Sequence, residues 1–293
     1  MKALIIAEHA AAAAELVAGA RTMADEVVAI SFGGAYECGA DKVLNITVPE
    51  GLTVDSAVDT VNAAFDAENP EVVLVEACRH MKVIAGSLAF HADTAVITDV
   101  TAFEAEGAKS MYFGGIAERV QKAAGNVAIY TIGAGVFDGA EGANGSVAEQ
   151  EWVAPARPVK VVSSQVIEKS GVNLFKADVV VAAGRGFAEE SQLSMANDLC
   201  DKLGAGLACS RPLTEGVNWL PTERYVGVSG LMLTPKVYIA VGISGQMQHM
   251  VGCNRSGAIF AINKDKNAPI FKQCDFGLVG DIKDVLPAIT SAL

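Results

Sequence analysis

Short, nearly continuous apolar runs separated by helix-like stretches constrain this chain more than any other feature of its sequence. Candidate strands are Leu4–Ala7, Glu26–Ser31, Lys42–Ile46, Val72–Glu76, Thr94–Val100 and Val127–Ile132. Helical segments lie between them at Ala10–Arg21, Thr53–Asp66 and Met81–Phe90. A strand that is apolar on both faces needs cover on both, which is the condition of a parallel sheet between helix layers. The expected class is therefore α/β. A chain of 293 residues suffices for two separate cores. The boundary is expected near Ser170-Gly171, just before the apolar run Ala177–Ala183 opens a second α/β unit, giving domains 1–169 and 170–293. The Asp/Gly-rich stretch Asp138–Gly145 and the Pro-containing Ala154–Pro158 punctuate the first domain, and Pro158–Glu168 is expected as its last strand.

Composition excludes several classes. Half the residues are apolar (51%), yet no run reaches the ~18–20 residues of a membrane span. Glu8 and His9 interrupt the apolar start, which reads as a strand followed by an Ala-rich helix rather than as a leader, and a cytoplasmic location follows by default. The six cysteines, at 38, 78, 200, 209, 253 and 274, form no CxxC pair. Spacing therefore suggests neither a zinc site nor an iron–sulfur cluster, and they read as reduced apolar fillers. The net charge of −12, without any Lys/Arg run, argues against nucleic acid or anionic membrane as a partner. An anionic ligand would have to be held by local donors.

The second domain carries the chemistry. The apolar run Val237–Val241 stops at Gly242-Ile243-Ser244-Gly245; a helix-like piece, Gln246–Val251, follows, and then a second apolar run, Ala258–Ile262. A strand that stops at a Gly/Ser turn and opens a helix suits a nucleotide phosphate, because the helix start offers unpaired N–H groups and glycines admit close approach. Arg185 sits in Gly184-Arg185-Gly186 directly after Ala177–Ala183, where its guanidinium has a pyrophosphate or an interface carboxylate within reach. A solvated strand-end arginine is the blander reading. The N-terminal half offers no catalytic constellation: His9, His80 and His91 are dispersed, and Cys78-Arg79-His80 lacks an evident orienting acid.

As whole strings these segments are specific. TPKVYIAVGISGQMQHMVG, FAINKDKNAPIF and DFGLVGDI, with VVVAAGRGF (Val179–Phe187) and LACSRPLTEGVNWLPTERYV (Leu207–Val226) upstream, resemble the FAD-binding half of the electron transfer flavoprotein alpha subunit. The match runs from about Ala177 to the C-terminus, and its wording resembles the FixB-type subgroup. The N-terminal half fits in pattern only, through MKALIIAEH and TAVITDV. The resemblance implies two Rossmann-like domains, the C-terminal one binding FAD. It implies a beta subunit as partner, forming with the first domain a base for the FAD domain.

The resemblance also assigns roles. Arg185 would meet the pyrophosphate. Ser210 and Arg211 match the family's Ser-Arg pair, whose cation lies against the isoalloxazine and raises the potential of the first reduction step; a surface arginine before Pro212 is the alternative. Val226-Gly227-Val228-Ser229 matches the family's VGQT. Ser229 keeps the hydroxyl for flavin N5, whereas Val228 and Leu231 lack the family's amide and charge; an ordinary loop is the alternative. Ser244, Gly245, Gln246, Met247, Gln248 and His249 would meet the pyrophosphate and the pyrimidine edge, with the helix dipole turned towards them and His249 near flavin O2 as a donor or a positive charge. Asn263, Asp281 and Ile282 match adenosine and ribityl positions. An Asx turn at Asn263 and a helix cap at Asp281 stand beside those roles, and Asp281 has the means to do both.

The implied function is electron carriage. The chain would hold FAD, take electrons from an acyl-CoA dehydrogenase-type or carnitine-linked partner and pass them on, without catalytic residues or a metal of its own. Two other readings stay open on the residues alone. One is a non-redox adenine-nucleotide-binding module; the other is a flavoenzyme acting directly on substrate, against which stands the lack of an acid/base pair.

Overall fold

A computed structural model of the chain describes residues 1–115, 117–139, 142–165 and 172–293. The chain divides into two compact units: Met1–Tyr112 with Ala117–Val166, and Phe113–Ile116 with Ile167–Leu293. The expected boundary at Ser170-Gly171 lies outside the described residues.

The first unit is built on a nine-stranded sheet. Its strands are β1 (Lys2–Ile6), β2 (Glu26–Phe32), β3 (Lys42–Ile46), β4 (Val72–Glu76), β5 (Val96–Glu104), β6 (Gly107–Tyr112), β7 (Ala117–Gln121), β8 (Ala128–Ile132) and β9 (Ser146–Glu149), in the order β7-β6-β5-β8-β4-β1-β2-β3-β9. All pairings are parallel except β5–β6 and β6–β7. The helices are α1 (Ala10–Ala20), α2 (Val58–Glu68) and α3 (Arg79–His91). Leu16 and Val17 of α1 pack on Ile5, Val27 and Leu74, while Val61 of α2 and Met81, Ile84 and Leu88 of α3 pack on Leu4, Ile6, Ile30 and Val73. Alternate residues of each central strand thus feed cores on opposite faces, which is why these strands read as unbroken apolar runs.

The runs Lys42–Ile46 and Val72–Glu76 form strands with the expected limits. The antiparallel extension β6–β7 was not legible. KSMY and AERVQ mix polar with apolar residues, as strands with a wet face do. Pro158–Glu168 is a correction. Residues 158–165 form no strand, only an isolated bridge between Leu52 and Lys160, and the last three residues lie outside the described set. Pro158 has no N–H, and the Val159 backbone is taken by Ser56, its N–H donating to the Ser56 hydroxyl at 2.9 Å. The added edge strand is β9 instead, paired with β3 and tied by Asn45 Nδ2 donating to both Glu149 oxygens at 2.8 and 3.0 Å.

The second unit has a five-stranded, wholly parallel sheet ordered β11-β10-β12-β13-β14, from β10 (Val179–Ala183), β11 (Gly206–Cys209), β12 (Val237–Val241), β13 (Ala258–Asn263) and β14 (Phe276–Val279). Helices α4 (Leu193–Leu203) and α6 (Ile282–Ala292) pack together over one face, where Leu199 and Leu286 meet Val181, Val241 and Ile262. The other face is closed by Leu233, Met250, Cys253 and Ile270 against Val180, Tyr238 and Ile259; α5 (Met247–Met250) lies there. From β10 the chain steps outward to β11, then returns past β10 to β12. The carboxyl ends of β10 and β12 therefore flank a topological switch point, where open α/β sheets bind ligands.

Candidate functional site

The switch point is built from glycine against glycine. The Gly242 N–H continues the ladder to Ile262 O (2.8 Å), while Gly184 N donates to Val241 O (2.8 Å) and Gly186 N to Gly242 O (2.9 Å). Gly242 has φ +62°, and a Cβ there would sit 2.7 Å from the Gly186 Cα. Neither Gly186 nor Gly242 has room for a side chain, so the loops after β10 and β12 close on each other and leave a cleft above them. Its volume is about 870 Å3, within the ~300–1,000 Å3 range of ligand pockets.

Twelve of the sixteen residues expected from the sequence line this cleft: Arg185, Ser210, Arg211, Val226, Val228, Ser244, Gln246, Gln248, His249, Asn263, Asp281 and Ile282. The other four are not among its lining residues. Gly245 (φ +81°) is pressed on the Ile270 backbone, and a Cβ on Gly227 would lie 2.7 Å from the Gln248 carbonyl. The Ser229 hydroxyl is 3.0 Å from that of Tyr225. Met247 opens α5. These residues come together because Tyr225-Val226 runs beside the end of β11, with Val226 N donating to Cys209 O at 2.9 Å, and Val228 N then reaches Gln248 O at 2.8 Å.

The helix expected from Ser244-Gly245 begins later. α5 spans only Met247–Met250, too short for peptide dipoles to sum over several turns. The anion-binding capacity lies instead in the loop itself. Its carbonyls are tied back, Ser244 O accepting from Ile270 N at 3.0 Å and Gly245 O from Gln273 Nε2 at 2.9 Å. Its amides, from Ser244 to Met247, donate to no acceptor among the described residues. Successive unpaired N–H groups of this kind form an anion-binding concavity.

Side-chain charge agrees. The lining carries four cations, Arg185, Arg211, Lys264 and Lys283, against two anions, Asp265 and Asp281, on a chain of net charge −12. Arg185 is exposed and has no ion pair among the described residues. Arg211 is paired with Glu215 at 2.6 Å, so its charge is partly balanced before any ligand arrives. Asn263 forms an Asx turn, its Oδ1 accepting from Asp265 N at 2.9 Å, and its Nδ2 donates to Ile243 O at 2.9 Å. Asp281 caps α6 through Lys283 N at 2.9 Å. Both structural alternatives are therefore realised in the cleft wall, and each side chain keeps spare hydrogen-bonding capacity.

His249 is 8% exposed. Its Nε2 lies 3.0 Å from the hydroxyl of Tyr238, a side chain buried completely. Burial pushes the Tyr238 hydroxyl well above its usual pKa, so it stays protonated. Nε2 accepts that proton in the tautomer that carries the ring proton on Nδ1, and Cys253 is the other hydrogen-bond partner of the hydroxyl. Nδ1 is buried without a hydrogen-bond partner. Burial lowers the imidazole to about 4, against a smaller opposing pull from the Val226 carbonyl. Of the two roles considered for His249, neutral donor and positive charge, the chain by itself supports the donor. Tyr238 was missed in the sequence because a tyrosine within an apolar strand reads as core. Lys264 was also missed, although it directly follows β13, as Gly184-Arg185 follows β10.

In the first unit an acid does meet Cys78-Arg79-His80: the thiol lies 3.3 Å from Glu8 Oε2 and His80 Nδ1 lies 2.9 Å from Glu8 Oε1. The lack of an orienting acid is thus corrected. Burial above all, with the charges of Glu76 and Glu8, pushes the thiol up to about 12, so the segment holds no nucleophilic thiolate at neutral pH.

Comparison with known proteins agrees with this geometry. Residues 3–157 match the electron transfer flavoprotein domain, and residues 173–254 match the electron transfer flavoprotein FAD-binding domain. Protein FixB of Escherichia coli O127:H6 is 38% identical over 95% of this chain and 94% of its own length; those of Escherichia coli O157:H7 and Shigella flexneri are each 39% identical over the same shares. The chain belongs to the electron transfer flavoprotein alpha family. The cofactor of the second unit in this flavoprotein subunit is FAD. The unpaired amide row, the cationic lining and the orphaned His249 Nδ1 fit a dinucleotide with an anionic middle and an acceptor-rich flavin edge. Among the described residues, no helix is long and apolar enough to cross a membrane.

Proposed function

We propose that this chain is the FAD-holding subunit of an alpha–beta heterodimer that carries electrons from an acyl-CoA dehydrogenase-type or carnitine-linked partner to a second redox protein in the cytoplasm. Residues 1–169 would pair with the beta subunit and residues 170–293 would hold the cofactor. The carrying observation is the cleft at the β10/β12 switch point, where an anion-binding loop, four cations and a buried imidazole donor meet. FAD supplies the one- and two-electron redox chemistry when bound. The chain's residues bind and tune. Arg185 and the amides from Ser244 to Met247 would hold the pyrophosphate. Ser210, Val226 and Val228 would border the ring, with Gln246 and Gln248 beside them, while Gly227 and Ser229 shape the loop that carries Val228. Asn263, Asp281 and Ile282 would meet the ribityl and ribose hydroxyls. Arg211 and the His249 Nδ1 proton would stabilise negative charge on the ring, raising its potential.

The acyl-CoA or carnitine assignment rests on likeness to FixB proteins, and among the described residues no acid/base pair in the cleft favours direct action on a substrate. Co-purification with the beta subunit tests the reading. The complex is expected to be yellow, to release FAD on denaturation and to pass electrons from an acyl-CoA dehydrogenase to an acceptor. A colourless complex retaining only an adenine nucleotide, or a flavinylated monomer that turns over substrate unaided, would overturn it.

A further inference from the structure

Away from the FAD cleft, five side chains with metal-ligating chemistry meet at the carboxyl end of the first sheet. β1 ends at Ile6 and passes Glu8 and His9 to the start of α1; its neighbour β4 ends at Glu76 and passes Cys78 to α3, whose second residue is His80. The links lie side by side because β1 is a switch point. The chain leaves it through α1 on one face towards β2 and returns through α2 on the other face to β4.

We propose that Glu8, His9 and Cys78 form a binding site for a divalent cation of zinc-like softness, with His80 as fourth ligand. One ligand atom from each of the three lies within 4.8 Å of the other two, a spread that an ion with bonds of about 2.0–2.3 Å can draw together. His80 is not in that converging group; its Nδ1 lies 2.9 and 3.0 Å from the two Glu8 oxygens and would join the shell by exchanging that contact for the ion. A thiol, two imidazoles and one carboxylate are a tetrahedral donor set for a borderline ion, not the all-oxygen shell of calcium or magnesium.

Glu76 completes the arrangement from behind. Its Oε1 lies 2.7 Å from His9 Nδ1, and its Oε2 accepts from the amides of Glu8 and His9 at 2.8 and 3.1 Å. A carboxylate on Nδ1 fixes the tautomer whose Nε2 lone pair is free for a metal, the usual support of a ligating histidine. Charge points the same way. Glu8 and Glu76 form no ion pair with Lys or Arg among the described residues, only with His80 and His9. Their two negative charges outweigh the ~0.5 positive charge that each helix start, of α1 and of α3, contributes. The spacing rules for zinc could not find this group, because its halves lie about 70 positions apart in the chain.

The test is a titration of the chelator-stripped full chain, alone and with its beta subunit, using Co2+ as optical probe and Zn2+ as competitor. Equimolar Co2+ is expected to give a thiolate-to-metal charge-transfer band that Zn2+ displaces. Cys78→Ser should abolish the band, while Cys274→Ser should keep it. Glu8→Gln and His9→Ala should each weaken binding at least about tenfold, and Glu76→Gln should weaken it about tenfold while the band survives. Circular dichroism and FAD content of each variant separate loss of ligand from loss of fold. A band that survives Cys78→Ser, or equal affinity in the wild type and in a folded Glu8→Gln/His9→Ala/Cys78→Ser variant, would overturn the site.

Discussion

Among single residues, Arg185 and the Tyr238–His249 pair have the clearest consequences. Arg185 has no ion pair among the described residues, so its charge is available to a ligand. Arg185→Ala is expected to weaken FAD retention by about 1.5–3 kcal/mol, the range of a charge-assisted contact; equilibrium release of FAD measures it. Unchanged retention would place Arg185 outside the site. His249 has a folded pKa of about 4 against an ordinary 6.5. As pH falls below about 6.5 the unfolded chain takes up this proton first. The neutral form's contribution is therefore fully present above that pH and is lost progressively towards 4, by at most about 3 kcal/mol. Urea unfolding of the FAD-free chain should show this slope between pH 6.5 and 4, and His249→Asn should flatten it. Tyr238→Phe leaves Nε2 buried without its donor. It should cost about 1–3 kcal/mol and shift the proton from Nδ1, which nitrogen-15 shifts of the ring report.

For the elements, what matters is how two strand ends meet. The loops after β10 and β12 interlock at Gly184, Gly186 and Gly242, and the cleft rests on that contact. Gly204, which ends α4 at φ +60°, makes a control, since nothing lies within 4 Å of a Cβ built there. Gly204→Ala should cost about 1 kcal/mol through backbone conformation alone. Gly242→Ala adds overlap with Gly186 and should cost at least about 2 kcal/mol more, with loss of FAD. Equal melting temperatures in the two variants would show that the loops part easily. The short α5 belongs to the same scale. QMQHMVG has the composition of a helix, but Gly245 is strapped to Ile270 and Gly252 lies against Gly227, so a single turn fits between them.

For the molecule as a whole, charge sets the expectation. A net charge of −12 with a locally cationic cleft favours redox partners that present positive patches. Association with the proposed electron donor should slow as ionic strength rises from ~0.01 to 0.15 M, the range over which the Debye length falls from ~30 to ~8 Å. Stopped-flow reduction of the flavin at several salt concentrations measures this, and a salt-independent rate would place recognition on apolar surface. If the proposed alpha–beta heterodimer forms, the chain by itself is expected to lose FAD faster than that complex during size-exclusion chromatography.

The sequence by itself determined the α/β class, the central strands of both sheets and most of the cleft wall. Those features depend on local information: an unbroken apolar run must be covered on both faces, and a glycine turn after it must sit at a sheet's carboxyl end. Arg185 and the Ser244 turn line the cleft for that reason; the other expected residues that line it were assigned by the resemblance to the electron transfer flavoprotein alpha subunit. Only the tertiary structure decided the rest. It showed that β6 and β7 extend the first sheet, because half-wet strands carry no continuous run. It gave the 158–165 segment to side-chain partners rather than to a strand. It moved the anion-binding capacity from a helix end to a loop, since the length of α5 depends on what Gly245 and Gly252 touch. The protonation of His249 and the meeting of Glu8 with Cys78 have the same origin. Burial and contacts between distant positions depend on how strands are ordered in a sheet, and that order is not written in any one segment.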